Sequence, residues 1–164
     1  MGERVVSVLV FLSALGSGLA GGIFFAFSTF VMSALARLPA PQGIAAMQSI
    51  NIVVINPLFM MVFMGTAVLC AIVAVAALFG WAGPHPILVV IGAVIYIAGN
   101  IVVTMTGNVP LNNALAAVDP TSAEGAAIWA RYVPDWNLWN HVRTVTGAVA
   151  AACFILAWRW PAAA

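Results

Sequence analysis

Four stretches of this 164-residue chain, at 5–31, 57–81, 87–106 and 138–158, are apolar over about twenty residues or more. A hydrocarbon core about 30 Å thick is crossed by a helix of about 20 apolar residues. Each stretch is therefore long enough to span a bilayer, and none alternates as a barrel strand would. Composition excludes the soluble alternatives: 65% of residues are hydrophobic and 5% charged, with five arginines, four carboxylates and no lysine. A soluble domain is about 25% charged. The net charge of +1 offers no footprint for nucleic acid. The expected fold is all-α, an integral membrane antiparallel four-helix bundle with short capping helices on one face, in one domain over 1–164.

Arg4 precedes the first stretch, but the run is too long for a signal-peptide h-region and reads as a retained span. Spans two and three are joined by the short turn 81–86, whereas 39–56 and 107–137 are long. Both long connections then share one membrane face, and both termini share the other. Ile44, Met47, Ile50, Val54 and Ile55 recur at helical spacing, with Gln48 and Asn51 between them. Thr121-Ser122-Ala123-Glu124 resembles a capping box opening a short helix through Trp129 and Tyr132, and Asp119-Pro120 competes with it as a start signal. Arginine placement nearly ties between the faces, and Arg4 tips the expectation toward both termini in the cytoplasm. Gly18 and Gly22 form a GxxxG pair on a ridge with Ala14 and Ala26, suited to close helix packing within the bundle or to a homo-oligomer.

Polar groups in hydrocarbon are costly unless paired, so their positions carry information. They gather at the end of the bundle that bears the long connections. Asn51 and Asn56 stand at the entrance to span two. Tyr96, Asn100 and Thr104 form a stripe on span three, followed by Asn108, Asn112 and Asn113. At about 100° per residue, Asn137, His141 and Thr144 share one face of the last span, with Asn140 at its edge, and Trp136, Trp139 and Arg143 share the other. Asn56 before Pro57 equally fits a helix N-cap, and Arg143 equally fits a pairing with Asp135 or Glu124. His141, one turn inside a span, is the candidate base. His85 sits in the opposite turn, so two-histidine metal chemistry has no place to assemble. Cys70 and Cys153 read as small buried apolar residues. A single imidazole with amides, an arginine and indoles could remove an acidic proton and stabilise the resulting anion, hold a flat aromatic ligand, or ligate haem.

The segments Gly107-Asn108-Val109-Pro110-Leu111-Asn112 and Trp139-Asn140-His141-x-Arg143, with Asn51-x4-Asn56-Pro57 and Gly21-Gly22-Ile23-Phe24-Phe25-Ala26-Phe27-Ser28, make the chain resemble the anthrone oxygenase-like family of small four-span membrane proteins, otherwise labelled a domain of unknown function. The resemblance covers nearly the whole chain. It implies a monooxygenase that converts an anthrone- or quinol-like aromatic with O₂ and no cofactor. On that expectation His141, Arg143 and Asn112 are catalytic. Asn56, Asn108, Asn100, Trp136, Trp139, Asn140 and Asn137 bind a small aromatic or quinone-like substrate, and no metal is held. The partners are then the lipid bilayer and that ligand, and the location is a bacterial inner membrane. A haem- or quinone-binding protein without catalysis, and a small assembly subunit, are the alternatives from other classes.

Overall fold

The computed structural model describes residues 2–159. The chain runs α1 (Gly2–Ala26), a π-helical turn π1 (Phe27–Val31), α2 (Met32–Ala36), α3 (Ala40–Val53), α4 (Pro57–Leu78), α5 (Pro86–Tyr96), π2 (Ile97–Val102), π3 (Thr104–Asn108), α6 (Val109–Ala116) and α7 (Ala123–Arg159). The fold is all-α, and four long apolar helical stretches, Arg4–Ala36, Pro57–Leu78, Pro86–Ala116 and Ala123–Trp158, are each able to cross a bilayer. The expected capping segments are mostly continuations of these rods. Only α3 stands as a separate cap helix, and the helix through Trp129 and Tyr132 is the first part of the 37-residue α7.

Local chemistry sets the breaks. Gly80 (φ +77°) follows α4 in the left-handed conformation, while Trp81 N–H bonds the Ala76 carbonyl and Gly80 N–H bonds that of Ala77. This is a Schellman stop, for which glycine has no Cβ penalty. Asn56 caps α4 by accepting from Phe59 N–H at 3.0 Å, with Pro57 at the first helical position. Ser122, rather than Thr121, caps α7 by accepting from Gly125 N–H at 2.9 Å. Asp119 accepts from the backbone and hydroxyl of Thr121, which holds its carboxyl below the usual range. Pro134 inside α7 removes one backbone donor without ending the helix.

Packing centres on the pair α1 and α7. Their backbones come close where Gly21 meets Gly147: a Cβ on Gly147 would lie 2.9 Å from Gly21 Cα. The buried ridge of α1 is Ser13, Ser17, Ala20, Gly21 and Phe24. Gly18 and Gly22 face outward, with nothing within 4 Å of a Cβ built on either. These two glycines thus lie off the face that packs inside the bundle, although Ala14 of the same ridge is buried in it; the GxxxG pair is one position out of register with the glycine that meets α7.

Two cores result. One fills the bundle around Phe24, Phe63, Val73, Tyr96 and Phe154. The other lies under the cap, where Met32, Ile44, Met47 and Leu115 meet Trp129, Tyr132 and Trp136. Gln48 ties the cap by donating to the carbonyls of Leu115 (2.8 Å) and Val118 (3.1 Å) near the end of α6, which have no further helix to bond.

Candidate functional site

Between the two cores lies a cavity of about 240 Å³. Most of its wall is apolar, with Phe24 and Phe27 from the first rod, Met47 and Ile50 from α3, and Phe59 and Phe63 from α4. Ligand sites for drug-sized molecules span about 300–1,000 Å³ and carry few polar groups among apolar ones. Here the polar groups are Asn51, Thr104, Asn108, Asn112 and Arg143. The volume falls just under that range.

Arg143 dominates the electrostatics. It is 5% exposed, and its guanidinium lies 4.2 Å from the Phe24 ring centroid and 5.0 Å from that of Trp136. It donates to Asn140 Oδ1 (2.8 Å) and to Thr104 Oγ1 (3.3 Å), and its Nε has no partner. Neither bond partner carries charge, and among the described residues no carboxylate lines the cavity. Asn140 is itself fixed by donating to the Phe24 carbonyl (2.8 Å) and Ser28 Oγ (2.7 Å). Ser28 and Thr144 share a further hydroxyl bond at 2.9 Å. The cation is thus held by neutral partners, with no counter-charge among the described residues.

Asn112 organises the other side. Its Oδ1 accepts from Tyr132 Oη at 2.8 Å and Trp136 Nε1 at 2.9 Å. Both lone pairs are then used, and the amide N–H₂ is the end left for a ligand. Asn108 donates to the Trp136 carbonyl at 3.1 Å, and its Oδ1 has no partner. Thr104 and Asn108 lie on π3, and Ser28 lies on π1. Such wide turns are rare and occur often at functional sites.

The sequence model described as Anthrone oxygenase matches residues 59–153, more than half of the chain. The chain belongs to the anthrone oxygenase family. No curated protein and no solved structure matches it. The region shared with the anthrone oxygenase family contains Thr104, Asn108, Asn112, Trp136 and Arg143, that is, every polar cavity residue except Asn51. The wall given by α1, π1 and α3 lies outside that region.

The cavity brings together four of the expected site residues, Arg143, Asn112, Asn108 and Trp136. Asn140 sits behind Arg143 as its support. His141 is exposed and does not line the cavity, so the expected convergence of His141 with the amides is not found. Asn56 is spent on the α4 cap and lies outside the cavity. Asn100 is buried, donates to Thr146 Oγ1 at 3.3 Å, and also lies off the cavity wall. Trp139 is partly exposed and packs at Gly107 rather than bounding the site, and Asn137 does not reach it.

The two faces of the last helix were legible, but the inner one is the opposite of the one expected. Trp129, Tyr132, Trp136, Asn140, Arg143, Gly147, Ala150, Phe154 and Ala157 are all buried at intervals of three and four. Starting the span at 138 hides the first three members of that stripe. Without them, the imidazole face looks like the one that needs shelter. Thr104, Asn51 and Tyr132 are the contributors that the expected site omitted; the 96–100–104 stripe already pointed to the first.

Proposed function

We propose that this protein is a membrane oxygenase of a flat, weakly acidic aromatic substrate, anthrone- or quinol-like, whose anion forms beside Arg143. The observation that carries the reading is a buried arginine without a carboxylate partner on the wall of an aromatic cavity. Charged groups within spans are costly, and they mark functional sites by default. A guanidinium held by Asn140 and Thr104 is preorganised for an anion that appears during reaction.

In this reading an anthrone lies among Phe24, Phe27, Phe59, Phe63 and Trp136 with its carbonyl oxygen toward Arg143. Loss of one proton from the CH₂ carbon opposite that carbonyl gives the enolate, which the guanidinium stabilises. Among the described residues no imidazole or carboxylate lines the cavity, so in this reading the proton leaves to water and Arg143 acts by making the C–H more acidic. The enolate passes one electron to O₂, and the resulting radical pair joins as a carbon-bound peroxide. The peroxide takes one proton back from water, and breaking its O–O bond with loss of the second C–H proton then releases water and leaves a carbonyl. The sum is CH₂ + O₂ → C=O + H₂O. Asn112 N–H₂ and Asn108 orient the ring oxygens, and no step is assigned to a cofactor.

The test is oxygen uptake by the purified protein in lipid nanodiscs, with a simple anthrone and a quinol as substrates. The expected result is saturable consumption of one O₂ per anthraquinone formed, well above the spontaneous rate. Saturable binding with no rate above background for either substrate would overturn the oxygenase reading and favour a binding protein.

A further inference from the structure

The rim of the cavity is formed where α3 passes into α4 and where π3 passes into α6. A second depression of about 330 Å³ lies against the outside of the first and shares Asn51, Ile55, Val109 and Asn112 with it. Ile55 is 72% exposed and Val109 39% exposed, although both line the cavity. The surface around them is apolar: Ile52, Leu58 and Met105 are each exposed by more than half. These residues lie level with the first turn of one spanning helix and the last spanning turns of another. Helix α4 packs on the third rod through α5 and π2, whereas α3 packs on α6, so the opening lies where the two rods part company.

Charge placement indicates which solvent the opening meets. Among the described residues no charged side chain lines the outer depression. The exposed charges of this end, Arg37, Asp119, Glu124, Arg131 and Asp135, sit on the close of α2, on the approach to α7 and on its first turns. An entrance facing water would have no need of three large exposed aliphatic side chains, which are stable against acyl chains and costly against water.

We propose that the ligand enters sideways from the bilayer, between Ile55 and Val109, and meets Asn51 and Asn112 as its first polar contacts on the way to Arg143. The chemical class admitted is a lipid-dissolved, flat, largely apolar molecule with an oxygen at its leading edge. The amides replace part of the hydration that this oxygen keeps at the membrane interface. The ligand's conversion rests on the oxygenase reading above; its route does not.

Two measurements test the route. Single cysteines at Ile52 and Ile55, in a Cys70→Ala/Cys153→Ala background, are spin-labelled in vesicles. Collision with O₂ should exceed collision with a water-soluble nickel chelate, and the reverse order overturns the proposal. Separately, quenching of tryptophan fluorescence by anthraquinone is followed by stopped flow in the same vesicles. The Ile55→Phe/Val109→Phe variant should slow association by about tenfold or more, whereas Val145→Phe, on the exposed face of α7, should not. An unchanged association rate, or no quenching in the parent, overturns the proposal. Quenching that depends on the rim in a protein that oxidises nothing would keep the route and end the oxygenase reading. Normal turnover with an indifferent rim would do the opposite.

Discussion

Replacing Arg143 with methionine separates what the cation does for the reaction from what it does for the fold. The side chain gives one strong bond to Asn140 and lies over Phe24 and Trp136. A hydrogen bond involving a charged group contributes about 1.5–3 kcal/mol, and a desolvated cation–π contact about 2 kcal/mol. Against these losses stands the cost of keeping a guanidinium out of water with no counter-ion, several kcal/mol per ion even after relaxation. The two sides nearly cancel, so Arg143→Met should melt within a few degrees of the parent. The rate should not cancel. Removing one preorganised donor to a developing oxyanion costs about 10²–10³ in kcat. Arg143→Lys, which keeps the charge but loses the planar fork, should recover part of that. Turnover is read as oxygen uptake with a saturating anthrone, and stability as thermal unfolding in the same detergent. Arg143→Met with kcat within threefold of the parent would refute the anion cradle. A variant that unfolds would show that the residue is structural.

Three further outcomes follow from the geometry. His141→Ala should keep oxygen uptake within about threefold of the parent, since removal of a true general base costs about 10²–10⁴, and a loss of that size would return His141 to the chemistry. Asn112→Leu strands the Tyr132 hydroxyl and the Trp136 indole N–H, each at about 1–3 kcal/mol, so it should lower the melting temperature, whereas Asn112→Asp keeps both bonds and should lower it less. Gly147→Ala should destabilise by about 1–3 kcal/mol through overpacking against the α1 backbone, while Gly22→Ala, with open space around it, should be neutral or stabilising by about 0.5–1 kcal/mol in thermal unfolding unless a second copy packs there, in which case native mass measurement would show it shifting the oligomer.

Much of this architecture is written in hydropathy. The apolar runs define the four rods, and Asn56-Pro57 marks the α4 start. The GNVPLN and WNHVR segments carry three of the polar cavity residues, Asn108, Asn112 and Arg143. What hydropathy does not carry is which side of an amphipathic span faces inward. In a bilayer the outward face is also apolar, so the usual polar-out rule fails. The decision falls to small residues that permit close approach, here Gly21 against Gly147. Gly18 and Gly22 look equally suitable in sequence, and only the packing tells them apart. The π turns are invisible for a different reason: a widened turn changes one hydrogen-bond register without changing residue type. Arg143 was legible as a candidate from its motif, but its inward orientation follows only once Trp129, Tyr132 and Trp136 are seen on the same uninterrupted helix.

That helix has a mechanical consequence. At 37 residues and about 1.5 Å per residue, α7 is a rod of about 55 Å, well over the roughly 30 Å of hydrocarbon it crosses. It carries the cap aromatics at one end, the cation in the middle and Phe154 in the bundle core at the other. With Gly147 seated against Gly21 one turn from Arg143, the rod behaves as a lever with its fulcrum beside the site. Any tilt moves Tyr132, Trp136 and Arg143 together and keeps their spacing. Under the function proposed above, these three side chains act as one fixed jaw, and a substrate of different outline has to be met by the other walls, which α1, π1 and α3 supply from outside the region common to the family and α4 supplies from within it.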